Sequence, residues 1–418
     1  MENEDAAATG QATSGDAGRD DLSRPMILAF AVTCGLSVAN IYYAQPLLDA
    51  MARDLDIAPA AIGIVVTLTQ VGYALGLMLI VPLGDLMDRR RLILGQTTLS
   101  AIALVVVGTA SNATLLLTGM ALVGVLAVVV QVVVAFAAIL ANPAARGRAI
   151  GTVTSGVVSG ILLARFFAGA LADIGGWRSV YLTSAVFMLA MTILLARILP
   201  RNQQALNLSR YPSLLRSTAA LFVQEPILRE RAIFALLIFA SVNVFWNSIV
   251  LPLSAPPFSM SHATIGLLGI AGVAGAFAAR NAGHLADMGW SQRTTGLSLM
   301  LMLAAWVSIA FLHYSLWPMV AGVIMLDFAI QAVHVTNQSL IIASRPEAAS
   351  RLVGGYMVFY SIGSAAGAIA STMAYAFAGW IGVCVLGFVI SAGALLFWVV
   401  IVGRMPVPPG AVYDCGRT

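Results

Sequence analysis

Long apolar runs separated by short polar interruptions dominate this chain. A helix needs about 20 mostly apolar residues to cross a bilayer, and the chain contains twelve segments of that length. They run at 26–50, 61–83, 92–111, 114–141, 149–171, 178–199, 229–253, 263–283, 293–313, 316–343, 352–375 and 379–403. The pattern predicts an all-α membrane protein with twelve transmembrane helices.

One long polar interruption divides these segments into two groups of six. It predicts a cytoplasmic tail at 1–24, a six-helix bundle at 25–199, a central cytoplasmic loop at 200–228, a second six-helix bundle at 229–403 and a cytoplasmic tail at 404–418. The first 24 residues are acidic, small and polar, which is typical of disorder. They lack the order of a signal peptide, so we expect the first apolar segment to remain as a span.

Composition narrows the class of protein. The chain has 418 residues, of which 60% are hydrophobic and 10% charged, whereas a soluble domain has about 25% charged residues. A soluble enzyme or nucleic-acid binder is therefore excluded. The sequence has no nucleotide-binding loop, hydrolase elbow or zinc-binding histidine pair. Its three cysteines, Cys34, Cys384 and Cys415, have no metal or disulfide spacing. We expect no catalytic residue, no cofactor and no metal.

The basic residues predict the orientation in the membrane. All 22 of them are arginine, and an excess of basic residues marks the cytoplasmic loops. If both termini are cytoplasmic, most arginines near the membrane fall on that side and only Arg53 and Arg178 on the other. The cytoplasmic loops then hold Arg89, Arg90, Arg91, Arg146, Arg148, Arg201, Arg210, Arg216, Arg280, Arg293, Arg345 and Arg351. We predict a multi-pass protein of a bacterial inner membrane.

The two halves of the chain align at an offset of 203 residues. This offset places Ala61–Gly63 on Thr264–Gly266. It also places Arg148 on Arg351, Gly151 on Gly354, Gly176 on Gly379 and Trp177 on Trp380. Two parallel repeats imply a pseudo-two-fold axis along the membrane normal, which is a transporter architecture with its substrate site between the halves.

The loop after the second span carries a family signature. Gly84–Arg91 resembles the Asp-Arg-x-Gly-Arg-Arg signature of the major facilitator superfamily, with matches at Asp85, Arg89 and Arg90. A weaker copy ending in Asp287 occupies the matching loop of the second half. The resemblance covers 25–403 and implies the fold of two six-helix bundles. It also implies that Asp85, Arg89, Arg90 and Asp287 form a cytoplasmic conformational latch; the alternative is a charge cluster that only sets topology.

Two further motifs indicate a branch of this family. Asn40–Pro46 and Asp173–Arg178 resemble the twelve-span drug/proton antiporters, and within them bacterial sugar-efflux-type members. The chain departs from that branch in two places. It has Met120 where a basic residue is usual early in the fourth span, and Ala164–Arg165 in place of the usual Gly-Pro pair of the fifth.

Two charged residues fall near mid-membrane. Arg165 lies about sixteen residues into the fifth span, and Asp327 about twelve residues into the tenth. A charge at this depth costs about 2.5–3.5 kcal/mol on insertion scales and needs a partner or water. Because the fifth and tenth spans are neighbours in the family fold, we predict an Arg165–Asp327 ion pair. It could be a fixed clamp; otherwise, as the pair forms and breaks, Asp327 could exchange a proton or Arg165 could bind an anionic substrate group.

Polar residues on other spans are candidates for the substrate cavity. Asp327, Gln331, His334 and Gln338 form one stripe on the tenth helix, where His334 could also carry a proton. The family fold lines its cavity with spans one, four, seven and ten. It therefore adds Asn40, Tyr43, Gln131, Asn243, Trp246 and Asn247. Interhelical hydrogen bonding is the alternative role for each amide.

Glycine pairs indicate close helix contacts. Gly72 and Gly76 in the second span and Gly363 and Gly367 in the eleventh have the spacing that lets helices approach. Since both spans border the other half in the family fold, these pairs could form contacts that rock. Ordinary packing is the alternative.

These features predict a secondary active transporter that works by alternating access. The leading hypothesis is proton-coupled export of a small organic solute (a sugar, drug or metabolite) by a monomer in the lipid bilayer. One alternative is a proton-coupled importer of a small organic anion. Another is a channel or sensor on the same scaffold, although the internal repeat favours alternating access.

Overall fold

The fold is helical throughout the part of the chain described by the computed structural model. The described residues are 24–142, 146–200, 211–273, 290–345 and 349–402, with the single positions 275, 278, 281 and 288. Helices of the first half are α1 (Arg24–Tyr42), α2 (Leu48–Asp54), α3 (Ile64–Leu79), α4 (Arg89–Gly108), α5 (Ala113–Ala127), α6 (Val129–Leu140) and α7 (Arg146–Ile198). Later helices are α8 (Tyr211–Gln224), α9 (Pro226–Ser248), α10 (Val250–Ser254), α11 (His262–Leu267), α12 (Ser291–Ala310), α13 (Leu316–Ser344) and α14 (Ala349–Val402). Short 3₁₀ turns occupy Gln45–Leu47, Val81–Asp85, Leu268–Ala271 and Phe311–His313.

Local sequence sets where several helices begin. The side chain of Asp88 accepts a hydrogen bond from the Arg90 amide at the start of α4, and Asn112 does the same for Leu115 at the start of α5. Each side chain satisfies an amide that has no partner within the helix. Pro226 stands at the first position of α9, where its missing N–H costs nothing.

Two long helices each contain two predicted spans. α7 has 53 residues and α14 has 54, and each is interrupted at one glycine, Gly176 or Gly379. These glycines have φ values of +74° and +59°, a region that side chains with a Cβ rarely adopt. They are 203 positions apart, so the structure repeats the same kink at the offset found in the sequence.

Eleven of the twelve predicted spans are found among the described residues. Among the described residues, nine helices are long and apolar enough to cross a membrane. Two of these are the double spans in α7 and α14, which brings the number of crossings to eleven. The predicted eighth span begins with α11 and the 3₁₀ turn that follows it, and most of its later positions lie outside the described residues.

The glycine pairs pack helices within each half. A Cβ on Gly72 would lie 2.2 Å from the Ala121 carbonyl oxygen of α5. A Cβ on Gly363 would lie 2.1 Å from the Leu236 carbonyl oxygen of α9. Gly76 and Gly367 make matching approaches to Val125 and Ala240. These pairs therefore make the ordinary packing contacts that the sequence analysis left open as the alternative, because they bring together the backbones of helices in the same bundle.

The halves meet through a second set of close approaches. We call the face with the loops after the first, third, fifth, seventh, ninth and eleventh spans the odd-loop face, and the opposite one the even-loop face. At the odd-loop end, a Cβ on Gly63 would lie 2.4 Å from the Ala368 carbonyl oxygen, and one on Gly169 would lie 2.1 Å from that of His262. Backbones of opposite halves therefore touch there.

The segment predicted as a central loop contains a helix. α8 lies within 200–228, and the Tyr211 hydroxyl donates a 2.7 Å hydrogen bond to the Leu79 carbonyl oxygen at the end of α3. The connection between the halves is thus attached to the even-loop end of the first bundle.

The orientation can be tested by labelling. A cysteine at Ala145, in the loop after the fourth span, should resist a membrane-impermeant maleimide added to intact cells, because the arginine distribution places that loop in the cytoplasm. A cysteine at the exposed Ser111, on the odd-loop face, should be labelled as the control. The reverse result, with label on Ala145 and none on Ser111, would overturn the predicted orientation.

Candidate functional site

A buried arginine lies at the centre of the contact between the halves. Arg165, in the fifth span, is only 6% exposed. Its Nε donates a 2.8 Å hydrogen bond to Oε1 of Gln45. Its guanidinium carbon stands 3.7 Å from the ring centre of Trp246, which belongs to the other half, and 5.3 Å from that of Tyr42. A planar, weakly hydrated guanidinium is suited to this stacking.

Trp246 also contacts the membrane-embedded acid. Its Nε1 donates a 3.4 Å hydrogen bond to Oδ1 of Asp327 on α13. Arg165 and Asp327 form no ion pair within 4.0 Å of each other, although both lie in the described residues. The direct pair expected from the sequence is thus absent from this conformation, because the indole of Trp246 occupies the face of the guanidinium.

The amides of the first and seventh spans differ in their roles. Gln45 donates a 3.4 Å hydrogen bond to Oδ1 of Asn243 in the opposite half, and Asn247 donates to the same oxygen at 3.1 Å. Asn40, the symmetry counterpart of Asn243, accepts a 2.6 Å hydrogen bond from Ser184 of the sixth span. The symmetric pair predicted for the cavity is therefore split, since Asn40 is bound inside its own bundle and Asn243 lies at the contact between bundles.

The other symmetric pairs are divided in the same way. Tyr43 packs edge-on against Tyr181 of its own half, with ring centres 6.4 Å apart, whereas its counterpart Trp246 crosses to Arg165. Gln131 lies 3.5 Å from the Tyr73 hydroxyl, again within the first bundle. The Gln131 contact is an interhelical hydrogen bond, which the sequence analysis left open as the alternative to lining the substrate cavity.

The polar stripe of α13 faces three other helices of the second half. The Asp327 carboxylate and the side chain of Gln331 lie beside Gly272 and Gly275 of the eighth span. Nδ1 of His334 is 2.9 Å from the Tyr356 hydroxyl, and Nε2 of His334 is 3.2 Å from the side-chain amide nitrogen of Gln338. Because the amide nitrogen can only donate, Nε2 of His334 accepts and Nδ1 carries the proton of a neutral ring.

Hydrogen bonds close the gap between the halves from mid-membrane to the odd-loop face. The hydroxyls of Tyr42 and Tyr360 are 2.6 Å apart at mid-membrane. Thr67 donates to the Ala365 carbonyl oxygen at 2.9 Å, and Thr372 donates to that of Ala60 at 3.0 Å. A cavity lined by Gln45, Pro46, Arg165, Trp246, Ile249, Ile265 and Gly266 remains in this contact. The interface is therefore closed on this side.

A second polar cluster, missed in the sequence, joins the halves at the odd-loop face. His262, which precedes the eighth span, contacts Asp49 at 2.9 Å and Asp173 at 3.3 Å. The hydrogen bond with Asp49 raises the pKa of His262 above its ordinary value, against a smaller opposing effect of burial. No sequence pattern marks this cluster, because its members are scattered over the chain in loops and helix ends.

Two other residues missed in the sequence are buried polar groups. Gln45 lay within a motif used only to recognise a family branch. Arg231, at the even-loop end of α9, is 1% exposed and reaches Oδ1 of Asn337 at 3.5 Å. An arginine beside a span boundary is indistinguishable in sequence from one that marks topology.

The latch residues are described in part. Arg89 Nε donates to the Gly84 carbonyl oxygen at 2.7 Å, and Arg90 donates to that of Ala196 at 2.6 Å. Asp287 and the side chain of Asp85 lie outside the described residues. The described arginine contacts thus hold the signature loop against the end of the sixth span.

Comparison with known proteins decides the family. Residues 27–349 match the Major Facilitator Superfamily. The chain belongs to this superfamily. It is 44% identical over 378 residues to a putative uncharacterized transporter, YgaY, of Escherichia coli K12, covering 90% of this chain and 96% of that protein. It is 30% identical to a probable transporter, SCO4007, of Streptomyces coelicolor, covering 90% of this chain and 86% of that one.

A solved structure has the same fold. A bacterial homologue of the human lysosomal transporter Spinster, in an inward-facing and unoccupied conformation, matches with a TM-score of 0.72 at 17% identity. The match covers 90% of this chain and 95% of that one. The predicted all-α superfamily fold is confirmed, and the chain is a multi-pass membrane transporter of the superfamily and not an enzyme.

The Gln45 contacts predict a loss of stability in one variant. Gln45→Leu leaves the Arg165 Nε–H buried without its acceptor, and a hydrogen bond to a charged group contributes about 1.5–3 kcal/mol. We expect the free energy of unfolding, measured by chemical denaturation in detergent, to fall by about that amount. Gln70→Leu is the matched control, because Gln70 is equally buried and its Oε1 has no partner. Equal losses in both variants would contradict this role of Gln45.

Proposed function

We propose that this transporter exports a small organic solute against an inward flow of protons, by alternating access. It would act as a monomer in a bacterial inner membrane, with both termini in the cytoplasm. The resemblance to the drug/proton antiporter branch supports the direction of transport. The arginine distribution supports the orientation.

The observation that carries the proposal is the link Arg165–Trp246–Asp327. Arg165 belongs to the first half, whereas Trp246 and Asp327 belong to the second. A carboxylate at Asp327 accepts the indole N–H and attracts the guanidinium that is stacked on the face of the same ring. A proton on Asp327 removes that charge and weakens both interactions. Proton binding therefore changes the strength of a contact between the halves.

Alternating access requires that such a contact break in each cycle. Closed on the odd-loop side, the halves would release a solute toward the even-loop face or take one up from it. Gln131 and His334, which the repeat superimposes on each other, come from facing spans and are candidate solute ligands on that side. Both ring nitrogens of His334 have partners within its own half, whereas Asp327 is linked through Trp246 to Arg165 of the other half. This difference favours Asp327 as the proposed proton carrier.

One observation favours the alternative, an importer of a small organic anion. Within the described chain, Arg165 has no acidic partner within 4.0 Å, and its one protein hydrogen bond uses Nε. Its terminal nitrogens are then donors for a carboxylate or phosphate group. In this alternative the solute itself neutralises Arg165.

The signature loop would act as a conformational latch at the even-loop face. Arg90 holds this loop to the sixth span of its own half, and Arg89 donates to Gly84 within the loop. In the proposed cycle, Asp85 and Asp287 would contact neighbouring helix ends when the even-loop face closes. The latch would then set the balance of the two conformations without touching the solute.

Asp327→Asn tests proton coupling. In proteoliposomes with a solute found by thermal-stabilisation screening, the variant should lose uptake driven by a pH gradient but keep exchange of solute for solute. The reason is that an amide accepts the Trp246 hydrogen bond but cannot bind a proton. Asp56→Asn, an exposed change on the odd-loop face, is the control and should keep both activities. Full pH-driven transport by Asp327→Asn would exclude Asp327 as the proton carrier.

The same assay separates the two directions. An exporter exchanging solute for protons should accumulate solute when the vesicle lumen is acidic, whereas a proton-coupled importer should do so when the outside is acidic.

Arg165→Lys should raise KM for an anionic solute strongly, because the ammonium group lacks the planar pair of donors. A neutral solute should be transported with little change in KM.

A further inference from the structure

The Asp49–His262–Asp173 cluster bridges the halves at the odd-loop face. Asp49 lies in α2 at the odd-loop end of the first span, and Asp173 follows the fifth span, whereas His262 directly precedes the eighth. His262 Nε2 is 2.9 Å from Oδ1 of Asp49, and its Nδ1 is 3.3 Å from Oδ1 of Asp173. The Asp49 side chain is 5% exposed, the imidazole 19% and the Asp173 side chain 28%.

This geometry selects one protonation state of His262. Each ring nitrogen faces a carboxylate oxygen, and an ionised carboxylate can only accept hydrogen bonds. A neutral imidazole has one N–H, so one of its nitrogens would direct a lone pair at a carboxylate oxygen. The imidazolium has two N–H groups and satisfies both contacts, each of them charge-assisted.

The Asp173 carboxylate also caps the eighth span from the opposite half. It accepts the backbone N–H of His262 at 3.1 Å and that of Ala263 at 2.9 Å. These are among the first amides of α11, which have no partner within the helix. Separation of the halves on this side would break the cap and both imidazole contacts together.

Other charged groups nearby already have partners. Arg53 pairs with Asp49 at 2.9 Å and is 67% exposed. Asp54 accepts hydrogen bonds from Arg178 and Trp177 within the first half. α10, which packs beside α11, carries no charge. The cluster with Arg53 is therefore neutral when His262 is protonated and carries one negative charge when it is not.

We propose that Asp49, His262 and Asp173 form a proton-binding site that exists only when the odd-loop face is closed. Protons on that side then stabilise the closed state of the two halves. The site is separate from Asp327 in mid-membrane and does not depend on the direction of transport. In the predicted orientation the site binds protons from the periplasm, so its protonation follows the periplasmic pH.

The sign of the effect follows from linkage. Contact with two carboxylates raises the pKa of His262 in the closed state, whereas an open, hydrated His262 would titrate near the usual value of about 6.5. The added stability of the closed state is thus complete below about pH 6.5 and is lost as the pH rises through the higher pKa of the closed state. One proton changes the open-to-closed ratio by up to about tenfold per pH unit.

Distances between spin labels measure this ratio directly. Ser111 and Tyr314 are exposed, lie on the odd-loop face in opposite halves and are 203 positions apart. Labels on cysteines there, in a protein with Cys34, Cys384 and Cys415 replaced by serine, report opening without any solute. We expect long distances to increase between pH 6 and pH 9, with the ratio rising by as much as about tenfold per pH unit.

Three variants decide the assignment. In His262→Gln the ratio should no longer depend on pH. In His262→Lys, which keeps a positive charge, the closed state should persist at pH 9. His313→Gln, at an exposed histidine of the same face, should keep the wild-type dependence. A wild-type slope in both His262 variants would overturn the proposal, as would a ratio independent of pH in the unsubstituted protein.

A fourth variant separates this site from the proposed proton carrier. Asp327→Asn should change the open-to-closed ratio by a constant factor and leave its pH dependence above pH 6 in place. If Asp327→Asn abolishes that dependence while His262→Gln keeps it, the cluster is not the proton-binding site. That result would leave the proposed role of Asp327 in transport intact.

Discussion

The burial of one guanidinium group constrains the centre of this transporter. Arg165 cannot leave the membrane, and its charge needs compensation in a site with little water. The structure compensates it with three uncharged partners from two halves: an amide oxygen of Gln45 and the rings of Tyr42 and Trp246. When a solute or water replaces an uncharged partner, no second charge is left unpaired. A direct ion pair with Asp327 would be harder to break.

The repeat explains how such a contact can form on one side only. Glycines pack the helices tightly within each half, with backbone approaches that leave no room for a Cβ. The positive-φ glycines Gly176 and Gly379 give both halves the same double span. The polar contacts between the described parts of the halves are asymmetric, because Asn243 and Trp246 cross the interface whereas Asn40 and Tyr43 do not. The repeat thus gives the two halves the same helices, and the contacts that differ between the halves form the candidate site.

The sequence predicted the fold well and the site in part. Apolar run length and the 203-residue offset depend on residue type and spacing alone, so the twelve spans in two repeated halves followed from them. The superfamily fold followed from the resemblance of Gly84–Arg91 to the family signature. The depth of Arg165 and Asp327 in the membrane could also be predicted from their positions within their spans. Their partners could not be, because side-chain direction across a bundle interface depends on helix rotation, which hydropathy does not encode. Trp246 therefore replaced the expected direct pair, and the His262 cluster went unnoticed.

The most direct test of the Arg165–Trp246–Asp327 link is the effect of Trp246 on the opening of the odd-loop face. Spin labels at Ser111 and Tyr314 should show more of the long distances in Trp246→Leu than in the unsubstituted protein at the same pH. The expected reason is that leucine neither stacks on Arg165 nor donates to Asp327. Trp246→Phe, which keeps the stacking, should give an intermediate population. An unchanged distance distribution in Trp246→Leu would contradict the claim that this link holds the two halves together.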